Sequence, residues 1–176
     1  EWLRSARLYD GDFNLYNRYD NFQQLGSDRW HAAIGAVSLH PGRPLVVVHL
    51  GTATTIDTVT PCEDGLEFQG GRILPGPAMM YQSLIEKTRC RPGGIGFVPA
   101  FPKNTADAIS TGILDATLGA MTRTCGVMER RGWKPKIVFA GGAAPLLAPY
   151  IQQEFPDAAL QHNLVLRGLA HCRTTR

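Results

Sequence analysis

The chain has no long apolar run, no cluster of basic residues and no closely spaced pair of cysteines. The longest apolar stretches, such as Leu45 to Val48, fall far short of the roughly 20 residues a membrane span needs. No charged segment followed by an apolar one opens the chain, so no signal peptide is expected. Net charge is only +3, and no basic run exceeds Arg130-Arg131. Nucleic-acid footprints show clustered Lys and Arg, so that class has no support. Cys62, Cys90, Cys125 and Cys172 lie at long, irregular spacings without a CxxC. That pattern excludes a zinc module and reads as four reduced thiols of a cytoplasmic protein. His31, His40, His162 and His171 have no carboxylate or Cys partner at useful spacing and read as surface or packing residues.

What is present points to a folded domain. The 176 residues are 44% hydrophobic and 19% charged, so intrinsic disorder is excluded. Gly (19) and Pro (12) are in excess, which predicts many tight turns. Residues 1–176 are expected to form a single α/β domain.

Asn14 to Tyr19 alternates and suggests a short strand after the Asp10-Gly11-Asp12 turn. Asp28 to Leu39 has helical spacing, with Ser27 or Asp28 as cap. Leu45 to Leu50 is apolar on both faces and reads as a buried strand. Thr52 to Thr60 and Leu66 to Ile73 add two strands joined by short turns, giving a three-strand meander. Helices are predicted over 78–87, 105–131, 145–155 and 164–172, with a strand over 136–140. The order implies a mixed sheet with packed helices, since a doubly wound repeat would not place three strands in succession.

Five segments could carry chemistry. His49-Leu50-Gly51-Thr52-Ala53-Thr54-Thr55-Ile56-Asp57 reads either as a phosphate loop of backbone amides and Thr hydroxyls or as a plain hairpin turn. Leu25-Gly26-Ser27-Asp28-Arg29-Trp30 opens a helix, where amides and dipole favour anions. There Asp28 could accept a hydroxyl proton and Arg29 could hold a carboxylate, or the pair could be a cap and a solvated first-turn residue. Phe139 to Ala144 runs a strand through Gly141-Gly142 into a helix, a place for a nucleotide against bare backbone or a simple turn. Gly70 to Met80 fixes a loop path, with Met79 and Met80 expected in the core. Asn104 to Gly112 offers Asn104 or Thr105 as a helix cap.

Together, and in their order along the chain, these segments resemble the type III pantothenate kinases, the family that includes the Bvg accessory factor proteins. The matching pieces are Tyr19, Leu25 to Trp30, Gly51 to Asp57, Gly70 to Gly76, Asn104 to Gly112 and Gly141-Gly142. The resemblance implies one lobe of the acetate kinase, sugar kinase, Hsp70 and actin (ribonuclease H-like) superfamily. It implies ATP-dependent phosphorylation of the primary hydroxyl of pantothenate, the first step of coenzyme A synthesis. It implies Asp28 as general base, Gly26, Ser27, Asp28 and Arg29 with Tyr19 and Thr105 as pantothenate contacts, and Thr52 as an ATP contact. ATP would carry Mg²⁺, and the partners would be pantothenate, ATP and a second copy of the chain in a homodimer, with the helix from Thr105 as a possible interface.

Family members also carry an opening Asp-x-Gly-Asn-(Thr/Ser) strand, and no such segment is present here, so the chain is expected to be the C-terminal portion of a two-lobed kinase. The family's Asp for a monovalent cation (K⁺ or NH₄⁺) is replaced by His49, so no metal ligand is assigned. The family's Tyr-x-x-Pro step reads Tyr19-Asp20-Asn21-Phe22. The alternatives are a non-catalytic accessory or regulatory relative that keeps the pocket, or another small-alcohol kinase of the same superfamily.

Overall fold

The computed structural model describes residues 4–174. Its centre is a seven-stranded mixed sheet in the order β1-β2-β5-β4-β3-β6-β7. The strands are β1 (Leu8–Asp10), β2 (Asn14–Asn17), β3 (Leu45–Leu50), β4 (Ala53–Cys62), β5 (Gly65–Pro75), β6 (Lys136–Ala140) and β7 (Ala159–Leu160). β3, β4 and β5 form the expected antiparallel meander. The β1–β2 hairpin joins one side through a parallel β2–β5 pairing. β6 and then β7 join the other side, each parallel to its neighbour.

The helices are α1 (Ser27–Leu39), α2 (Pro77–Lys87), α3 (Thr105–Glu129), α4 (Ala144–Glu154) and α5 (Leu164–Thr174). β3 explains why two layers of helix are needed. Leu45 and Val47 point into a core with Trp30, Ile34 and Val37 of α1. Val46, Val48 and Leu50 point into a second core with Met121 of α3 and Leu147 and Ile151 of α4. A strand apolar on both faces must be covered on both. α5 lies on α1, and their backbones nearly touch at two glycines. A Cβ on Gly168 would collide with the carbonyl of His31, and one on Gly35 with that of Leu164.

The departures from expectation are local. β1 and β7, three and two residues long, are too short to show a period. Gly26, not Ser27 or Asp28, is the N-cap of α1, and no side chain caps it. Ser27 and Asp28 are instead first-turn residues, where a carboxylate complements the helix dipole. Asn104 does cap α3, its side-chain oxygen accepting from the Asp107 amide at 2.9 Å. Met79 and Met80 are not core residues, because α2 buries none of its side chains. Met79 is exposed, and Met80 lines a cavity instead. His171 does have a carboxylate neighbour, with Nδ1 3.4 Å from Asp12 Oδ2. His31 is a packing residue, buried with its Nδ1 2.6 Å from the Ser27 carbonyl.

Candidate active site

The start of α1 lies on the sheet face where Asp57 interrupts the apolar pattern of β4. Arg29 and Asp57 are both buried, at 6% and 2% exposure, and form an ion pair. Arg29 Nε donates to both Asp57 oxygens, at 3.1 and 3.2 Å, and Nη2 donates to Oδ1 at 2.5 Å. Nη1 donates to the Tyr19 hydroxyl at 2.8 Å. The guanidinium also lies over the rings of Tyr19 and Phe68, 5.4 and 5.8 Å from their centroids. Burial pushes the Asp57 carboxyl up from the ordinary carboxylate range, while the hydrogen bonds and charge of Arg29 pull against that push. Burial pulls the Arg29 guanidinium down, but the bonds to Asp57 more than offset it, so Arg29 stays charged. With that cation held against its two oxygens, Asp57 is read as an ionised partner of a paired buried charge.

Asp28 sits at the rim of this cluster. It is exposed, unlike its neighbour Arg29. Its charge adds to the upward push on Asp57, which places the two carboxylates within electrostatic reach. A Cβ on Gly26 would stand 2.6 Å from Asp28 Oδ1, so the bare backbone of Gly26 leaves the carboxylate its position. Ser27 lines an open cleft of about 680 Å³ together with Arg4, Arg7 and Phe22.

Thr52 belongs to a second location, the ends of the parallel neighbours β3 and β6. The Thr52 carbonyl accepts from the Gly76 amide at 2.8 Å, and the Leu50 carbonyl accepts from the Ala143 amide at 3.0 Å. Gly141 has φ +111, and a Cβ there would strike the Leu50 backbone. The Gly51–Thr52 turn, Gly76 and Gly141-Gly142 are therefore stitched into one glycine-rich corner. Crevices outside the carboxyl ends of such strands are where α/β sheets bind ligands. Thr52 is exposed there, and His49 is half-buried. Thr105 lies at a third location, the lining of a cavity of about 830 Å³ between α2 and α3 with Met80, Leu84 and Ile109. Tyr19, Gly26, Asp28 and Arg29 do not line it.

The structure thus gathers Tyr19, Gly26, Asp28 and Arg29 around one ion pair, and leaves Thr52 and Thr105 apart from it. Sequence reasoning gave Asp57 no role and gave Phe68 none. The available signal was an Asp within the otherwise apolar and β-branched run of β4. Among the described residues no three His, Cys, Asp or Glu side chains converge to hold a metal. A monovalent cation that relies on a carboxylate at position 49 does not fit the imidazole found there.

A family model described as type III pantothenate kinase matches residues 4–126. The chain belongs to this family. The type III pantothenate kinase of Azoarcus sp. (strain BH72) is 43% identical over 169 residues, covering 96% of this chain and 60% of that protein. The type III pantothenate kinase of Bordetella bronchiseptica is 44% identical over 149 residues, covering 82% of this chain and 53% of that protein. The chain therefore spans little more than half the length of these pantothenate kinases.

Among solved structures, a conserved putative Baf family transcriptional activator from Campylobacter jejuni is 27% identical with a TM-score of 0.62, covering 85% of this chain and 63% of that one. A putative 2-dehydro-3-deoxygalactonokinase from Sinorhizobium meliloti has a TM-score of 0.57 at 14% identity, covering 83% of this chain and 59% of that one. That likeness concerns the fold alone: the two share the mixed-sheet α/β arrangement.

Proposed function

We propose that the protein carrying this chain transfers the γ-phosphoryl group of ATP to the primary hydroxyl of pantothenate, the first step of coenzyme A synthesis. The observation that carries the reading is the pairing of an exposed Asp28 with a buried, pre-oriented Arg29 and Tyr19 at one helix start. Asp28 accepts the hydroxyl proton as the oxygen attacks phosphorus, and ADP leaves. A loose transition state of this kind depends on positioning more than on a strong base, so an ordinary carboxylate suffices. Arg29, Tyr19 and the Gly26–Ser27 backbone hold the acceptor, and Thr105 is assigned to a further contact from the α2–α3 cavity. The glycine-rich corner at Thr52 fits the phosphates, because close backbone approach leaves room for anionic oxygens. Mg²⁺ bound through those phosphates supplies charge neutralisation. The test is transfer of labelled γ-phosphate from ATP to pantothenate by the full-length protein. Absence of a labelled product from folded protein would contradict the reading.

A homodimer belongs to the same reading. α2 buries no side chain, and Ile73, Met79, Ile95, Phe97 and Phe101 are all exposed along β5, α2 and the segment leading to α3. Apolar surface of this kind is an association site more often than a solvent face. Sedimentation of the protein is expected to give a dimer, and a monomer at micromolar concentration would contradict it.

A second reading is favoured by two specific observations: His49 in place of the family's carboxylate, and the likeness to a Campylobacter protein described as a putative transcriptional activator. In it the protein is a non-catalytic accessory relative that binds pantothenate without turning it over. The same assay separates the two, since this relative would bind pantothenate and yield no labelled product.

A further inference from the structure

Asp57 takes no part in the transfer proposed above, yet the whole Arg29 cluster is built on it. A buried ion pair is weak evidence for stability, since apolar side chains of similar volume often serve as well. Three features give Asp57 a different purpose. Gly71 lies directly opposite it on β5, and a Cβ at position 71 would overlap Asp57 Oδ1 and the Ile56 carbonyl. Next to that seat the β4–β5 register shifts at Thr58/Val59, where Gly70 takes φ +109. The carboxylate therefore lies against bare β5 backbone. From there it engages Arg29 through both Nε and Nη2, which fixes the plane of the guanidinium. The fixed Nη1 in turn donates to the Tyr19 hydroxyl, so that hydroxyl's own proton is left to point elsewhere.

We propose that Asp57, seated on Gly71, is the positioning residue of the acceptor site, holding Arg29 as a rigid fork that orients the Tyr19 hydroxyl toward the carboxylate or carbonyl groups of the acceptor. This rests on the kinase reading. The motif glycine at 71 thereby acquires a function. It admits a carboxylate where any side chain would expel it.

The experiment compares Asp57→Asn and Gly71→Ala in the full-length kinase. Gly71→Ala keeps every charge and crowds the Asp57 carboxylate together with the Ile56 carbonyl. The expected result is a pantothenate KM raised by about 10-fold or more, with the ATP KM within about 2-fold and kcat largely kept, as for loss of a charged hydrogen bond that serves binding. A purely structural role would instead lower the melting temperature and the active fraction and leave both KM values alone. Folded variants with an unmoved pantothenate KM, or with both KM values moving together, would overturn the proposal. If neither variant folds, the wild type decides by NMR. Its Arg29 Nε–H resonance, protected by Asp57, is expected to shift on titration with pantothenate, and an unchanged resonance at saturation overturns the proposal. A wild type that neither binds nor phosphorylates pantothenate would sink the kinase reading and this inference together. An active wild type with unmoved variants would sink the inference alone.

Discussion

Asp28 and Arg29 are adjacent in the chain and opposite in environment, one exposed and one buried. In the proposed mechanism that contrast gives the proton transfer to Asp28 and the holding of the acceptor to Arg29. Asp28→Asn is expected to lower kcat by about 10²-fold or more, the usual worth of a positioned base, with pantothenate binding nearly unchanged. Steady-state kinetics beside calorimetry would check this, and full activity in the variant would remove Asp28 from the mechanism. The sequence made Asp28 and Arg29 legible because they fall in a local motif. Asp57 is 28 residues from Arg29, and only the sheet brings them together. Cys125 offers a separate test of burial. Desolvation, aided by the charge of Glu129, raises its thiol to about 11. In the folded protein the thiolate is scarce at pH 8, so iodoacetamide should label Cys125 slowly until denaturant is added. The same shift makes stability fall as pH rises from the thiol's ordinary 9.0 toward about 11, because the unfolded chain ionises first.

At the scale of elements, α1 delivers the site and α5 holds α1. The two helices cross where Gly168 and Gly35 each face a carbonyl of the other. Gly168→Ala should cost ~1–3 kcal/mol by overpacking, seen as a melting temperature lower by several degrees. Because α1 carries Asp28 and Arg29, the same variant should also weaken pantothenate binding. An unchanged melting temperature would mean the crossing relaxes freely. Asn104→Ala should cost about 1 kcal/mol by uncapping α3, which a denaturant melt would detect. The meander, β6 and the helices were legible because each is an apolar run or period bounded by turn residues. The cap of α1 was not, since a glycine N-cap leaves no side-chain signal and Ser27 and Asp28 compete for the assignment. Met79 and Met80 misled for a related reason. Apolar residues at helical spacing imply burial only when neighbours enclose the helix, and α2, facing α3 across an open cavity, has none of its residues fully buried.

At the scale of the molecule, one sheet separates two apolar cores, with the candidate site on the middle of β4 at Asp57 and the glycine-rich corner at the end of β3. The residues proposed to hold the acceptor are all in this chain, which spans little more than half the length of its relatives. That makes acceptor binding the most direct test of the account. The measurement is a calorimetric titration of pantothenate into this chain, repeated with Arg29→Lys, which keeps the charge and loses the planar fork. The account predicts saturable binding by the wild type, weakened about 10-fold or more in the variant, as expected for a lost charged hydrogen bond. No heat of binding from a chain shown to be folded, or equal affinity in the two proteins, would contradict it.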